Sequence, residues 1–114
     1  MQNVSEKRLF SRIGCGLDLT LRRSLGDQYC SVSCRDLSLS GLGLRQARDI
    51  QVGEEVQVTL EGFPPVKAQV KWLSERGAGL SFQGSLGQIA DTWVGEVLAA
   101  HGIRVKDLLE KVAG

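Results

Sequence analysis

Two arginines near the start of the chain, Arg8 and Arg12, have the clearest capacity for chemistry, and Lys7 lies beside them. A guanidinium group can donate paired hydrogen bonds to phosphate oxygens or to the O6 and N7 atoms of guanine, and it can stack on a base. In an extended segment the Arg-x-x-x-Arg spacing places both side chains on one side. The pair therefore fits an anion-binding clamp, although a solvated basic arm would show the same residues.

A second polar group is the Asp-x-Ser-x-x-Gly motif formed by Asp36, Ser38 and Gly41. An ionised aspartate only accepts hydrogen bonds, so Asp36 can accept from guanine N1–H and N2–H or hold an arginine in place. Ser38 supplies a hydroxyl that donates and accepts. We expect Gly41 to permit a positive φ and a close approach of the backbone. The alternative is an ordinary solvent-facing turn, which uses the same residue types.

Two further side chains could extend such a site. Arg35 directly precedes Asp36 and is either a further anion contact or a surface charge. Trp72 ends an apolar stretch and could stack on a purine, or it could belong to the core. For Trp93 and His101, which lie near the end of the chain, we expect packing and exposure respectively.

Period-two alternation of apolar and polar residues predicts the strands that must position these groups. Including the stretch at 42–46, about six strands are separated by turn residues such as those at 24–28, 53, 62–65 and 77. Short strands joined by turns favour an antiparallel barrel, because closure removes exposed edges. We predict a mainly β fold built on a six-stranded antiparallel barrel. The alternating apolar positions are Leu17, Leu19, Leu21, Cys30, Val32, Cys34, Val56, Val58, Leu60, Ala68, Val70, Trp72, Leu80 and Phe82.

Beyond residue 87 the apolar period becomes helical. One stripe runs from Trp93 to Leu98, Gly102 can supply a left-handed cap, and a second stripe runs from Val105 to Val112. We predict two short helices that cover or flank the barrel. The alternative is that they keep an apolar face free for a partner or for a second copy of the chain.

The two polar motifs, in this order and at this spacing within a predicted barrel, resemble the signature of the PilZ domain family. The resemblance extends to the turn and strand at 52–60 and to the segments 70–73 and 79–82, and it covers roughly residues 7–84. We predict a flexible arm at 1–14, a PilZ-like barrel at 15–86 and C-terminal helices at 87–114.

The resemblance implies that the chain binds cyclic di-GMP, with no other cofactor and no metal. It gives Arg8 and Arg12 the role of principal clamps and Lys7 that of a supporting charge. Ordering of the arm by the ligand would let an unidentified protein partner read the bound state. We therefore predict a sensor or adaptor in motility, exopolysaccharide or adhesion control. The full set of expected ligand-binding residues is Lys7, Arg8, Arg12, Arg35, Asp36, Ser38, Gly41 and Trp72.

Composition weighs against other functions. The 14 basic and 13 acidic residues give a net charge of +1 at pH 7, and aromatic residues make up 5%. The chain therefore has little excess positive charge to attract DNA, RNA or an anionic membrane, and few aromatic side chains to stack on bases. The single histidine, His101, is distant in sequence from the arginines and cannot form a metal cluster or an obvious base–nucleophile pair, so we expect no enzyme. A PilZ-like interaction module without ligand stays as the alternative, and the retained motif residues argue against it.

The compartment is predicted from the apolar stretches and the cysteines. No apolar stretch approaches the ~20 residues that cross a bilayer, and the first residues lack the apolar core of a secretion signal. Cys15, Cys30 and Cys34 are odd in number and form no Cys-x-x-Cys pair, which favours reduced, structural thiols, with Cys30 and Cys34 pointing inward. A cytoplasmic protein is the expectation; its oligomeric state stays open.

Overall fold

The computed structural model describes residues 12–24, 28–47 and 49–113, with side chains as far as residue 110. Within these residues, seven strands are followed by three helices. The strands are β1 Ile13–Gly14, β2 Asp18–Arg23, β3 Tyr29–Leu37, β4 Gly41–Arg45, β5 Glu55–Thr59, β6 Val66–Ser74 and β7 Gly77–Phe82. The helices are α1 Leu86–Ala90, α2 Trp93–Ala100 and α3 Val105–Ala113. Within these ranges no helix is long and apolar enough to cross a membrane.

Six of the strands close into an antiparallel barrel. The order is β2-β5-β6-β7-β4-β3, and β3 pairs again with β2 to close the ring. The predicted mainly β fold with a six-stranded barrel is confirmed. The additional strand, β1, pairs with the end of β3 through Ile13↔Leu37 and Gly14↔Asp36. These two residues fall in the segment that the sequence assigns to the arm, and their pairing attaches the chain next to Asp36.

The alternating apolar residues form the barrel interior. Leu19 and Leu21 on β2 and Val56 and Val58 on β5 are all at most 2% exposed. Each of these strands presents its intervening polar side chains outward, as period-two patterning requires. Burial of the inward-facing apolar residues of the barrel strands supplies the hydrophobic stabilisation of the domain.

Three helices cover the barrel, where the sequence pattern predicts two. The additional helix, α1, has only five residues, and a capping box of Ser85 and Gln88 stabilises its start. The fully buried Trp93 at the start of α2 contacts Phe82 edge to face at 6.2 Å, and its Nε1 donates to the Val58 carbonyl at 3.1 Å. Gly102 ends α2 with a φ of 83°, which confirms the predicted left-handed cap.

The cysteines differ from expectation in one respect. Cys34 is fully buried, as predicted, but Cys30 is exposed. The reason lies in the strand lengths: β4 pairs with β3 only from Cys34 onward, so the start of β3 projects beyond the packed part of the barrel. Neighbouring atoms still shield the Cys30 thiol in part from solvent, and this partial desolvation raises its pKa, with a smaller contribution from the negative charge of Asp49.

Candidate functional site

A single row of four residues crosses the outer face of the barrel. Strand pairing places Asp36 of β3 opposite Gly43 of β4, Gly43 opposite Gly79 of β7, and Gly79 opposite Trp72 of β6. The two central residues of the row have no side chain, and the two outer residues do. The result is a shallow groove with a glycine floor, an acidic group on one wall and an aromatic group on the other.

Both walls of the groove are made by β-bulges. The register of β3 against β4 shifts between Cys34 and Asp36, and that of β6 against β7 shifts between Val70 and Trp72. A bulge sets two residues opposite one and interrupts the alternation of faces. Arg35 and Asp36 are therefore both partly exposed in β3, and Lys71 and Trp72 are both exposed in β6.

The glycine floor allows the wall side chains to lie flat on the sheet. A Cβ at Gly79 would come within 2.0 Å of the Trp72 Nε1 atom. A Cβ at Gly43 would lie 3.0 Å from a guanidinium nitrogen of Arg35 and from both carboxylate oxygens of Asp36. The absence of side chains at these two positions thus leaves space for the side chains that extend from the neighbouring strands.

Asp36 holds two arginines, one on each carboxylate oxygen. Arg12 Nη1 lies 2.5 Å from Asp36 Oδ1, and Arg35 Nε donates to Asp36 Oδ2 at 3.1 Å. The Arg35 guanidinium also lies over the Trp72 ring, with its carbon 5.8 Å from the ring centroid. Trp72 is 43% exposed, so the alternative that it belongs to the core is wrong, and part of its ring faces solvent.

The groove is basic overall. Arg12, Arg35 and Lys71 line it together with one acidic side chain, Asp36, which leaves two positive charges in excess. The cavity has a volume of about 470 Å³. Its remaining walls and floor are Ser40, Gly41, Leu42, Gly43, Trp72, Gly79, Leu80 and Ser81. Such a groove suits an anion that carries a flat ring, because charge and an aromatic face lie side by side.

Ser38 and Gly41 shape the turn beside the groove. Ser38 is fully buried, and its hydroxyl accepts from the backbone N–H groups of Ser40 and Gly41 at 3.3 Å each. Gly41 does not have a positive φ, so that part of the expectation is not met. The close approach is real, since a Cβ at Gly41 would lie 2.1 Å from the Leu80 carbonyl oxygen.

His101 and Trp93 lie away from the groove, as expected from the sequence. His101 is exposed at the end of α2, where its Nδ1 lies 2.9 Å from the Val97 carbonyl oxygen, and Trp93 is in the core. Lys7 and Arg8 lie outside the described residues. Among residues 12–24, 28–47 and 49–113, no group of three or more His, Cys, Asp or Glu side chains could hold a metal ion.

Sequence reasoning missed several residues that line the groove, among them Lys71 and the two floor glycines, Gly43 and Gly79. The signal was present in two stretches, Gly-Leu-Gly-Leu at 41–44 and Gly-Ala-Gly-Leu at 77–80. A strand with glycine at every second position has one apolar face and one bare face. Two such strands side by side predict a flat patch to which other groups can come close.

The fold and the groove define a small antiparallel barrel domain with a basic, aromatic-walled site on its outer surface. The profile of the PilZ domain family matches residues 6–92, so the chain belongs to that family. This confirms the resemblance seen in the sequence motifs. No curated protein sequence matches the chain.

Two solved structures have the same fold. The PilZ domain of CeSA from a cellulose-synthesizing bacterium aligns with a TM-score of 0.54 and 15% identity, covering 68% of this chain and 86% of that one. YcgR from Escherichia coli, solved in complex with c-di-GMP, aligns with a TM-score of 0.60 and 19% identity. That alignment covers 90% of this chain but 49% of YcgR, so this chain spans about half the length of that relative.

Proposed function

We propose that this chain binds cyclic di-GMP in the glycine-floored groove and acts as a sensor or adaptor for a partner protein. Membership of the PilZ family and similarity in fold to a YcgR structure that holds c-di-GMP support the ligand. The observation that carries the proposal is the row in which Asp36 holds two arginines and Trp72 faces them across Gly43 and Gly79.

Each side chain of the groove has a distinct role toward such a ligand. Arg12 can leave Asp36 and fork onto phosphate oxygens or onto guanine O6 and N7. Trp72 offers its exposed face for stacking on a guanine. Asp36 accepts from guanine N1–H and N2–H, or it keeps Arg35 in position. Lys71 adds a positive charge on the same wall.

The proposal extends to Lys7 and Arg8, which precede Arg12 in the Arg-x-x-x-Arg motif. When the ligand engages both arginines, the segment before β1 is drawn onto the groove. Fixing each residue costs about 1 to 2 kcal/mol, while a micromolar complex has a binding free energy of about −8 kcal/mol. Several charge-assisted contacts are therefore needed, so removal of one arginine should weaken binding strongly.

This movement of the arm provides the output of the sensor. It covers one surface of the barrel and creates another that a partner can recognise. Hydrogen exchange of residues 5–14 should slow when saturating cyclic di-GMP is added. The processes that we propose for this output are motility, exopolysaccharide synthesis or adhesion, in a cytoplasmic setting.

Calorimetric titration with cyclic di-GMP tests the function. We compare the wild-type chain with Arg8→Ala, Arg12→Ala and Trp72→Ala, and with Arg104→Ala as a matched loss of charge on a remote, 86% exposed side chain. We expect saturable binding at micromolar or lower concentration, loss of at least about tenfold in affinity in the three site variants, and no change in Arg104→Ala. GTP and cyclic AMP should not compete.

A folded wild-type chain that does not bind would overturn the ligand assignment and favour the interaction-module alternative. Equal affinity loss in Arg104→Ala would show that overall charge, and not the groove, governs binding. Circular dichroism on every variant separates loss of binding from loss of folding.

A further inference from the structure

Two buried thiols lie in contact directly beneath the groove. Cys15 and Cys34 are 9% and 0% exposed, and their Sγ atoms are 2.8 Å apart. They are separated by 19 positions in the chain, and both are free. Cys15 follows β1, and Cys34 lies on β3 immediately before Arg35 and Asp36. The pair therefore joins the base of the arm to the strand that forms one wall of the groove.

The hydrogen bonds of the two thiols point in one direction. The Cys15 thiol donates to Cys34 Sγ, and the Cys34 thiol donates to the Asp36 backbone carbonyl at 3.2 Å. The pKa of Cys34 is raised well above its ordinary value. Burial is the largest cause, followed by the hydrogen bond and the charge of Cys15 and then by the charge of Asp36. Cys15 is the more accessible of the two thiols and is therefore the one that reacts first.

We infer that Cys15 and Cys34 are a reversible modification site that closes to an intramolecular disulfide with a low-molecular-weight disulfide as oxidant. The Cys15 thiolate attacks the oxidant, one thiol leaves, and a mixed disulfide forms. Cys34 then loses its proton, attacks the Cys15 sulfur as a thiolate and releases the second thiol. The protein loses two hydrogens and the oxidant is reduced to two thiols, which take up the protons.

The modification has a direct consequence for the groove. A disulfide removes the Cys34 thiol that donates to the Asp36 carbonyl. It also adds a covalent link, three residues after Arg12, to the pairing of β1 with β3. This second part of the inference rests on the proposed function: if Arg12 binds the ligand, the oxidised form loses less conformational freedom on binding and should bind more tightly.

The thiol chemistry is tested without the ligand. The reduced chain is incubated with oxidised glutathione, then unfolded and alkylated, and its mass is measured by mass spectrometry. We expect a single alkylated thiol, at Cys30, and a rise in Tm of about 10 °C that a thiol reductant reverses. The matched control is Cys30→Ser, which should keep both results, whereas Cys15→Ser and Cys34→Ser should show neither. Alkylation of both Cys15 and Cys34, or a persistent glutathione adduct on either of them, would overturn the inference.

The affinity for cyclic di-GMP is then measured on the reduced and oxidised forms. We expect oxidation to tighten binding about three- to tenfold in the wild type and in Cys30→Ser, and to leave Cys15→Ser unchanged. Equal affinity in both redox forms would overturn the coupling to the groove. If the reduced wild type does not bind at all, the proposed function fails, while the alkylation and Tm results still decide the modification site.

Discussion

Replacement of Gly79 by alanine should abolish the aromatic wall of the groove while the barrel stays folded. The added Cβ would lie 2.0 Å from Nε1, 2.4 Å from Cε2 and 2.7 Å from Cδ1 of Trp72. Contacts this short cannot exist, so the indole must swing away from the sheet. Because Trp72 is 43% exposed, the ring can move into solvent without displacing the core.

The magnitude follows from what the displaced ring no longer does. Stacking of a base on an aromatic side chain contributes about 1–3 kcal/mol, which corresponds to about 5- to 150-fold in affinity. The contact between Arg35 and Trp72 is lost as well, and an exposed cation–π pair contributes about 0.5–1 kcal/mol. We therefore expect Gly79→Ala to weaken binding of cyclic di-GMP by at least about tenfold, with a small effect on unfolding.

Calorimetry for binding and urea denaturation for stability separate the two effects. Gly41→Ala is the contrasting variant, because its Cβ would meet the Leu80 carbonyl oxygen at 2.1 Å, and backbone cannot swing aside. That variant should lose about 3 kcal/mol of stability. Gly87→Ala, with nothing within 4 Å of the added Cβ, is the neutral control. Unchanged affinity in a folded Gly79→Ala chain would refute the role of the glycine floor.

Three other predictions concern stability and spectroscopy. Burial alone would raise the pKa of Glu54, but hydrogen bonds from Arg23 and the backbone lower this pKa. The ionised Glu54 therefore stabilises the fold above its ordinary pKa of 4.5, and this stabilisation is lost as pH falls through the lowered value. Glu54→Gln should therefore flatten the acid limb of urea stability against pH, and an unchanged limb would contradict this. Cyclic di-GMP should alter the tryptophan fluorescence of the wild type but not of Trp72→Phe; a persisting change would assign the signal to the buried core. Gly95→Ala, whose Cβ would lie 1.8 Å from the Ala90 carbonyl oxygen, should lower Tm while affinity at 25 °C stays the same, and a preserved Tm would contradict the packing of α1 on α2.

The barrel was predictable because burial of alternate residues can be recognised in the residue types of strands such as β2 and β5. Val56 and Val58 face the core and Gln57 does not, and this alone identifies β5. Shorter elements leave weaker marks. The strand at Ile13–Gly14 has only two residues, and the five-residue helix at Leu86–Ala90 is shorter than the periods used to find helices. The capping box of this helix is a recognisable sequence signal, but a search for an apolar period does not detect it.

The site was predictable only in part, since its geometry depends on two bulges. A bulge adds one residue to a strand and changes which side the next residues face, but it leaves no fixed mark in residue types. The sequence therefore could not decide whether Trp72 faces the core or the solvent. Nor could it decide whether Arg35 shares a face with Asp36. Pairing across four strands, which brings Gly43 and Gly79 between them, settles both.

The two arginines on Asp36 are held to different degrees, and this difference suits a sensor. The Arg12 side chain is 56% exposed, and such surface ion pairs contribute at most about 1 kcal/mol, so a ligand phosphate can replace Asp36 at little cost. Arg35 is held on two sides, by Asp36 and by the Trp72 ring. Under the proposed function, Arg12 is the group that transfers to the ligand and carries the arm with it, while Arg35 keeps the receiving surface fixed. A clamp of this kind needs one contact that the ligand can replace and one that persists. The bulge supports both, because it places Arg35 and Asp36 side by side at the groove.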